Sequence, residues 1–254
     1  MIVIAVISMK GGVGKTSATA NIAAALAKQL GQGAVGVIDL DPQNSLRLHF
    51  GQSNAVTTGL SSQSVQGVGW REVMYQSEYG VDCVPYGDVT ESGREDFEAL
   101  LEEQPDFVYQ QILHAGLSEK RVVLIDTPPG PSVYLRQATN CADLAIAVLL
   151  ADGGSYATIP AMEAWLAEVQ AERPDFQSLY LFNQVDGMNT LGLDVIEVVR
   201  SHLGKRVIKN VIHSDEAVAE ALAFQQPVSI YAPHSQSTRD LDNIAKQLAL
   251  YLAQ

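Results

Sequence analysis

Residues 8–17 read SMKGGVGKTS, a glycine-rich stretch between a short apolar run and a helical pattern. Phosphate-binding loops have the form G-x-x-x-x-G-K-[ST], and Gly14, Lys15 and Thr16 supply the second half of that pattern. Met9 stands where the first glycine would fall, and a second lysine, Lys10, stands beside it. The stretch therefore predicts a strand, a phosphate site and a helix in succession, with one lysine more than the pattern requires.

The glycines of this stretch favour a loop that wraps around phosphate oxygens. Glycine lets the backbone approach a ligand closely and turn so that successive N–H groups point at an anion. A helical pattern begins at Thr16, and the helix dipole adds positive potential there. We expect Lys15 to contact the β- and γ-phosphates and the Thr16 hydroxyl to bind Mg²⁺. The residues predicted to surround the phosphates are Gly11, Gly12, Val13, Gly14, Lys15, Thr16 and Ser17.

Three aspartates follow apolar runs farther along the chain. The segment VIDLDPQ (37–43) contains Asp39 and Asp41, and VVLIDTPPG (122–130) contains Asp126. Residues two apart on a strand face the same side, and open α/β sheets bind ligands beyond the carboxyl ends of their strands. We therefore expect all three carboxylates near the phosphates, with Asp126 holding Mg²⁺ directly or through a water.

Short apolar runs alternate with helical patterns along the chain. Several runs are apolar at successive positions, as expected for strands covered by helices on both faces. The alternation predicts a single α/β domain over residues 1–254, with a doubly wound, mostly parallel sheet and helices on both faces. The predicted strands are 2–8, 34–39, 81–86, 121–126, 144–150, 178–184 and 206–212, and the predicted helices include 16–30, 160–171, 191–203 and 215–224.

The composition argues against several classes of protein. The 254 residues carry a formal net charge of −13, so the average surface repels nucleic-acid backbones and DNA is not an expected partner. Cys83 and Cys141 form no disulfide framework and fit a reducing compartment. The amino-terminal run lacks the features of a signal peptide, and no apolar run approaches the roughly 20 residues of a membrane span. We therefore expect a cytoplasmic protein without direct membrane insertion.

Three further segments carry structural expectations. Residues 51–69 are rich in Ser, Gly, Gln and Thr and predict a long surface loop. Residues 91–106 predict a strongly acidic helix, which is typical of a solvated face or of a docking surface for a basic partner. Residues 239–254 have helical apolar spacing and a polar face of mixed charge. We expect that last helix to pack on the domain rather than to lie on a membrane, where a basic face is usual.

The phosphate loop and the two aspartate segments together resemble the MinD/ParA class of ATPases. KGGVGKTS (10–17), VIDLDPQNS (37–45) and VVLIDTPPG (122–130) look like the deviant Walker A, Walker A′ and Walker B motifs of that class. LYLFNQVD (179–186) resembles its strand that ends in an adenine-contacting asparagine, here Asn183. The resemblance implies a P-loop NTPase fold and a nucleotide site that takes ATP and Mg²⁺.

The same resemblance implies a use for the extra lysine. In this class two ATP-bound subunits pack face to face, so Lys10 is expected to touch the phosphates of the partner subunit. A positive group supplied in trans stabilises the charge that develops in phosphoryl transfer. Asp41 is implied to orient the attacking water and Asp39 to organise the Mg²⁺ shell. Lys10, Lys15 and Asp41 are thus the expected catalytic residues, Thr16, Asp39 and Asp126 the expected metal site, and turnover is expected to be slow without a partner.

Branches of the class differ in features that this sequence can test. Iron proteins need a cysteine just behind the Walker B segment, whereas Cys141 lies beyond a predicted helix. Division regulators end in a basic amphipathic helix, which is absent from residues 239–254. Partition ATPases need basic residues that bind DNA, and one cluster exists, at Arg200, His202, Lys205, Arg206 and Lys209. That cluster is either a DNA contact or a solvated helix end, and the net charge favours the second.

A narrower resemblance links the chain to the BcsQ family of ATPases associated with bacterial cellulose synthesis and secretion. It is carried by SLRLHFG (45–51), GWREVMYQSEYGVDCVPYG (69–87) and VIHSDEAVAEALAFQQPVSIYAPHS (211–235). It implies an accessory ATPase recruited to an inner-membrane cellulose synthase complex through a small companion protein and other partners. A partition ATPase and a non-hydrolysing scaffold are the alternatives. His213 is expected to cap a helix beginning at Asp215, with packing near the adenine as the alternative.

Overall fold

The computed structural model describes residues 1–53 and 55–251, and a mixed sheet runs through the centre of that part of the chain. Its strands lie in the order β3-β4-β2-β5-β1-β6-β7, and every pair is parallel except β3 with β4. The predicted doubly wound, mostly parallel sheet is therefore confirmed. The strands are β1 (Ile2–Ile7), β2 (Val35–Asp39), β3 (Tyr75–Gln76), β4 (Val81–Val84), β5 (Val122–Asp126), β6 (Leu144–Leu150) and β7 (Gln177–Asn183).

Helices connect the strands and cover both faces of the sheet. Side-chain oxygens cap several of them by accepting from backbone N–H groups of the first turn, as Ser132 does for α5 and Asp152 for α6. The helices are α1 (Lys15–Leu30), α2 (Leu60–Val65), α3 (Glu91–Glu103), α4 (Phe107–His114), α5 (Val133–Cys141), α6 (Gly153–Glu172), α7 (Thr190–Leu203), α8 (Glu216–Ala223), α9 (Val228–Tyr231) and α10 (Gln236–Tyr251).

Alternation along β1 divides the core between the two faces. Val3, Ala5 and Ile7 belong to one apolar cluster, which also holds buried side chains of α3 to α7. Ile4 and Val6 belong to the other, which holds buried side chains of α1, α8, α9 and α10. Because successive strand residues point to opposite faces, an uninterrupted apolar run is buried only when both faces are covered. This is the physical basis of the apolar runs seen in the sequence.

Strand register gathers the expected site residues at one edge of the sheet. β1 lies between β5 and β6, and the glycine-rich loop follows β1 directly. Val6 of β1 and Asp39 of β2 are both in register with Asp126 of β5. In parallel strands these carboxyl ends meet at the same edge, where open α/β sheets bind ligands. The fold thus brings the loop together with the carboxylates that follow β2 and β5.

The predicted strand at residues 206–212 is wrong. A short 3₁₀ turn ends at Arg206, and two isolated parallel bridges follow, one between Val207 and Tyr180 of β7 and one between His213 and Val185, just beyond the end of β7. A bend at residues 209–210 separates the two bridges. The apolar spacing of this segment instead buries Ile208 and Ile212 against the core. Strand-like composition therefore reflects burial here and not a continuous ladder.

The predicted surface loop at 51–69 is also corrected in part. Residues 60–65 form α2, with Leu60 and Ser61 fully buried, while residue 54 lies outside the described residues. The serine hydroxyls of this helix find acceptors inside the protein: Ser61 donates to the carbonyl of Tyr86 at 2.7 Å, and Ser64 to that of Leu60. Because those bonds satisfy the hydroxyls inside the protein, a polar composition was compatible with burial.

Two further helical expectations are confirmed. The acidic segment 91–106 contains α3, which buries Phe97 and Leu101 on its inner face. The carboxy-terminal helix α10 packs against α1, with Leu241 and Leu248 in the core, and residues 252–254 lie outside the described part. Among the residues that the structure describes, no helix combines the length and apolar character needed to cross a membrane.

Candidate nucleotide-binding site

The loop after β1 has the conformation that a phosphate cradle requires. Gly12 and Gly14 both have φ near 75°, a left-handed conformation that non-glycine residues rarely adopt. A side chain at position 14 would also collide with the Asn183 amide, whereas Gly12 has open space around it. The first helical residue, Lys15, is buried, so its ammonium group is held within the site rather than in solvent. Backbone N–H groups and this lysine therefore converge at the amino end of α1.

Asp126 is joined to α1 by two hydroxyl groups. Thr16 donates to its Oδ2 at 2.6 Å, and Thr19 donates to its Oδ1 at 3.1 Å. Burial raises the pKa of the Asp126 carboxyl, and the nearby Lys15 ammonium and Thr16 hydroxyl offset part of that rise. Burial also raises the pKa of Asp39 well above its usual value, and the Asp126 carboxylate adds to it. A cation placed between the two carboxylates would relieve both effects.

The donor set at this point fits Mg²⁺ bound together with phosphates. Magnesium prefers oxygen ligands, keeps several waters and is usually held by one or two carboxylates plus substrate phosphates. Thr16 and Asp126 offer hydroxyl and carboxylate oxygens beside the loop. No cluster of three or more His, Cys, Asp or Glu residues in the described ranges could hold a metal by itself. The residues therefore suit a metal that arrives with a nucleotide, which would supply the remaining ligands.

Asp39 and Asp41 organise the loop that follows β2. Asp39 is fully buried and accepts from the backbone N–H of Asp41 and of Leu46, both at 3.0 Å. Asp41 is nearly buried and accepts from the N–H of Gln43 at 3.0 Å. Both carboxylate oxygens of Asp39 thus accept hydrogen bonds that position the loop, a role that the sequence did not indicate. Its predicted role in the Mg²⁺ shell, and that of Asp41 in orienting water, stay predictions.

Lys10 forms an ion pair with Asp152 of its own chain. Its Nζ lies 2.8 Å from Oδ2 of Asp152, and the side chains are 36% and 42% exposed. The hydrogen bond from Lys10 is the main cause that lowers the pKa of Asp152. The other oxygen of Asp152 caps α6 by accepting from Ser155 at 2.6 Å. Sequence reasoning missed Asp152, although its position directly after β6 placed it at the ligand-binding edge.

Asn183 closes the loop from the far side. Its Nδ2 donates to the carbonyl of Val13 at 2.8 Å, and the residue is buried. Beside it lies a cavity of about 340 Å³ at the amino end of α1. The cavity is of a size to hold a purine ring, and its walls come from five parts of the chain. The lining residues are Ser17, Ala18, Asn21, Asn183, Gln184, Ile212, His213, Ser214, Asp215, Val218, Ala219, Leu222 and Leu241.

The predicted capping role of His213 is wrong. Asp215 itself caps α8 by accepting from the N–H of Ala217 at 3.0 Å. The ring of His213 instead lies in the wall of the cavity, with Nδ1 2.8 Å from Oδ2 of Asp240 on α10. Aspartate is the stronger helix cap because its oxygen reaches the first-turn N–H groups directly. The alternative placement, beside the expected base site, is the one that the fold adopts.

His49 is a buried residue that sequence reasoning did not select. It lies in a 3₁₀ turn (Leu46–Phe50), with Nε2 3.5 Å from the hydroxyl of Ser17 in the first turn of α1. Burial lowers the pKa of the imidazole to about 4, so the ring is neutral at physiological pH. In the sequence, the segment SLRLHFG is marked only by its resemblance to the family. A neutral ring therefore supports the helix turn that faces the phosphate loop.

The two arginines of the basic cluster near α7 are engaged within the chain. Arg206 forms an ion pair with Glu163 of α6 and lies over the ring of Tyr180, 5.8 Å from its centroid. Arg200 donates to the backbone carbonyl of Lys209 at 2.8 Å. Guanidinium groups held in this way are less available to neutralise phosphates. For these two residues the geometry therefore favours the structural interpretation over a DNA contact.

Solved structures show the same fold. Cobyrinic acid a,c-diamide synthase from Mycobacterium smegmatis, solved with an ATP analog and magnesium, superposes with a TM-score of 0.82 at 23% identity, over 99% of this chain and 95% of that one. The septum site-determining protein MinD from Pyrococcus horikoshii, solved with Mg-ADP, gives a TM-score of 0.76 at 21% identity, over 100% and 99% of the two chains. The chain thus has the α/β fold of these P-loop proteins.

Sequence comparison places the chain more narrowly. Cellulose biosynthesis protein BcsQ of Salmonella typhimurium is 27% identical over 254 residues, which cover 99% of this chain and 95% of that protein. The chromosome-partitioning ATPase Soj of Thermus thermophilus is 29% identical, over 96% and 94% of the two chains. A family model described as cellulose biosynthesis protein BcsQ matches residues 1–248. The chain therefore belongs to the BcsQ family, within the MinD/ParA class of ATPases.

Proposed function

We propose that this protein is a slow, Mg²⁺-dependent ATPase that dimerises face to face when ATP is bound. We further propose that it acts as an accessory subunit of a bacterial cellulose synthesis and secretion complex. One observation carries the first part. Thr16, at the end of the glycine-rich loop, donates a hydrogen bond to Asp126, so the loop and the expected metal ligands lie together. Family membership supports the second part.

The proposed roles in binding follow from the positions of the residues. Loop N–H groups and buried Lys15 would hold the β- and γ-phosphates, with Thr16 and Asp126 beside them for the metal. Mg²⁺, when bound, would neutralise charge on the phosphate oxygens. Asp41, next to buried Asp39, would orient the attacking water. With no stronger base in this set, turnover is expected to be slow until a partner stimulates it.

Lys10 is the residue that would make the site depend on a second subunit. It lies at the exposed rim and is held by Asp152, and an exposed ion pair is worth at most about 1 kcal/mol. Contact with the polyphosphate of a partner subunit would outweigh that pair, because several negative charges replace one. Without nucleotide, the lysines of two facing subunits would repel each other. Dimerisation is therefore expected to require ATP.

The proposed setting is cytoplasmic, with recruitment to the inner membrane through other proteins. A small companion protein and the cellulose synthase complex are the expected partners. A DNA-partition role is the alternative, supported by the similarity to Soj over most of the chain. Against it stand the net charge of −13 and the engaged arginines, Arg200 and Arg206.

Two variants and a control test the proposal. Lys10→Ala should bind Mg·ATP as a monomer and lose ATP-dependent dimerisation, measured by analytical ultracentrifugation. Asp41→Ala should dimerise with Mg·ATP but release phosphate far more slowly. Lys205→Ala removes an exposed lysine away from the loop and should behave as wild type. A Lys10→Ala protein that dimerises and turns over normally would refute the trans-lysine role. Wild type that dimerises without measurable phosphate release would favour the scaffold alternative.

The DNA alternative has a direct test. The Asp41→Ala dimer, verified by sizing with Mg·ATP, is titrated with duplex DNA across a range of salt concentrations. Binding that requires the dimer and falls steeply with salt would report phosphate neutralisation and support partition. No binding by the verified dimer is the result that the proposed function predicts.

A further inference from the structure

The cavity beside the phosphate loop contains hydrogen-bonding groups whose direction is set by neighbouring residues. Several of its polar side chains are already committed to structural bonds. Asn21 donates to the carbonyl of Ser17 and accepts from the N–H of Val228, both at 2.8 Å. Asp215 accepts from Ala217 and from Ser237. Asn21 and Asp215 thus form part of the cavity wall, and their acceptor oxygens are already occupied by hydrogen bonds within the protein.

Asp240 is a buried carboxylate that orients His213. Its Oδ2 accepts from the backbone N–H of His213 at 3.0 Å and lies 2.8 Å from the ring Nδ1, while its Oδ1 accepts from Gln236 at 2.8 Å. The side chain of Asp240 is only 8% exposed. A carboxylate that already takes two N–H donors acts as an acceptor, so the proton between the pair belongs on Nδ1. His213 is also held through its backbone, by the bridge to Val185.

In the neutral form of the ring, this arrangement leaves Nε2 of His213 as an acceptor at the cavity. A neutral imidazole with its proton on Nδ1 carries a lone pair on Nε2. The ring is 39% exposed, lines the cavity and, among the described residues, makes its hydrogen bond through Nδ1. Asn183 has a similar polarity, because its Nδ2 donates to the carbonyl of Val13 and its oxygen is left to accept. Two acceptors thus occupy one cavity at the amino end of α1.

Acceptors in this position distinguish the two kinds of purine. Adenine carries an exocyclic amino group at position 6, which donates. Guanine and hypoxanthine carry an oxygen there, which accepts, with a proton on the adjacent nitrogen. An acceptor that faces the oxygen is left without a donor, and a buried polar group without its partner is costly.

We propose that His213, oriented by Asp240, reads the base and selects a 6-aminopurine over a 6-oxopurine. The inference rests on the proposed function, since it assigns a specificity residue to the same nucleotide site. His213 is the residue that contacts the base, and Asp240 is a positioning residue that acts by orienting the ring of His213. Removing the acceptor should reduce the preference for ATP over inosine triphosphate about 3- to 10-fold, which is the range expected for one hydrogen bond.

Binding of ATP and of inosine triphosphate, each with Mg²⁺, is measured by calorimetry for wild type and variants. His213→Phe keeps an aromatic ring in the cavity wall but removes the acceptor. Asp240→Asn keeps an oxygen near the ring but no longer fixes the proton on Nδ1. His114→Phe changes an exposed histidine at the end of α4 and serves as the matched control. Thermal unfolding of each protein verifies that it is folded.

The expected result is a wild type that prefers ATP and a His213→Phe variant in which ATP binding weakens while inosine triphosphate binding does not. Asp240→Asn should shift the ratio in the same direction by a smaller factor, which a purely structural role would not do. Equal losses for both nucleotides would overturn the inference, as would equal affinities in wild type, while leaving triphosphate binding intact. Failure of wild type to bind either nucleotide would instead overturn the proposed function itself.

Discussion

The buried imidazole of His49 should make the protein less stable as the pH falls below neutrality. Burial holds the pKa of this ring at about 4, whereas a histidine in an unfolded chain has a pKa of about 6.5. In the interval between those values the unfolded chain takes up a proton that the folded chain does not. The stability contributed by this residue is therefore complete above the unfolded pKa and is lost as the pH falls toward the folded pKa.

The size of the effect follows from the two pKa values. One pKa unit corresponds to about 1.4 kcal/mol, so the full difference is about 3 kcal/mol. About 2.5 kcal/mol of that loss should occur between pH 7 and pH 4.5. Asp39 acts in the opposite sense, because its raised pKa gives stability at low pH that is lost as the pH rises. The measurement must therefore compare variants, in which the Asp39 contribution cancels.

Urea unfolding of wild type, His49→Gln and His114→Gln at pH 7, 6, 5 and 4.5 provides the comparison. Glutamine keeps a polar side chain of similar length but does not titrate. The unfolding free energy of His49→Gln should fall less than that of wild type across this range, by about 2.5 kcal/mol. His114 is exposed at the end of α4, so His114→Gln should follow the wild-type curve.

Parallel curves for wild type and His49→Gln would refute the reasoning, because they would mean that the ring takes up its proton equally in both states. A uniform loss of stability in His49→Gln at every pH does not enter the comparison, since only the change with pH carries the prediction.

Three further perturbations test other contacts of the site. Asp152→Asn keeps the oxygen that caps α6 but releases Lys10 from its ion pair. The affinity of ATP-dependent dimerisation, measured by sedimentation, should therefore rise about 2- to 5-fold. A weaker dimer would contradict the proposed release of Lys10. Thr16→Ala should raise the Mg²⁺ concentration needed for ATP binding at least about tenfold in calorimetric titrations. An unchanged Mg²⁺ requirement would mean that Thr16 is not a metal ligand. Arg206→Ala breaks the ion pair with Glu163 and should lower the free energy of urea unfolding by about 1 kcal/mol. Retention of the protein on duplex DNA should not change. Reduced retention would indicate that Arg206 contacts DNA.

Local features allowed much of the fold and site to be predicted from the sequence. The phosphate loop is contiguous, and its glycines at positive φ mark it without knowledge of the rest of the chain. Apolar runs at successive positions predicted buried parallel strands, because both faces of such a strand must be covered. Asp39 and Asp126 were expected near the loop because parallel strands end at one edge, and their register confirms that proximity.

Errors arose where composition and packing diverge. Residues 206–212 resemble a strand because Ile208 and Ile212 are buried, yet a bend breaks the pairing with β7. The helix at 60–65 was not predicted because its serines suggested a surface loop. Their hydroxyls instead donate to carbonyl oxygens inside the protein. A pattern of apolar and polar residues reports whether a segment is buried, but it does not report which neighbour supplies its hydrogen bonds.

The sequence by itself determined the fold class, the phosphate loop and the identity of the acids at the strand ends. Only the tertiary structure decided the pairs that tune this site: Lys10 with Asp152, Ser17 with His49, and His213 with Asp240. Loop conformation and strand burial depend on residues near one another in the chain, so local patterns reveal them. The three pairs join residues that are distant in the chain, and packing of whole helices on the sheet is what brings each charge or ring to its partner.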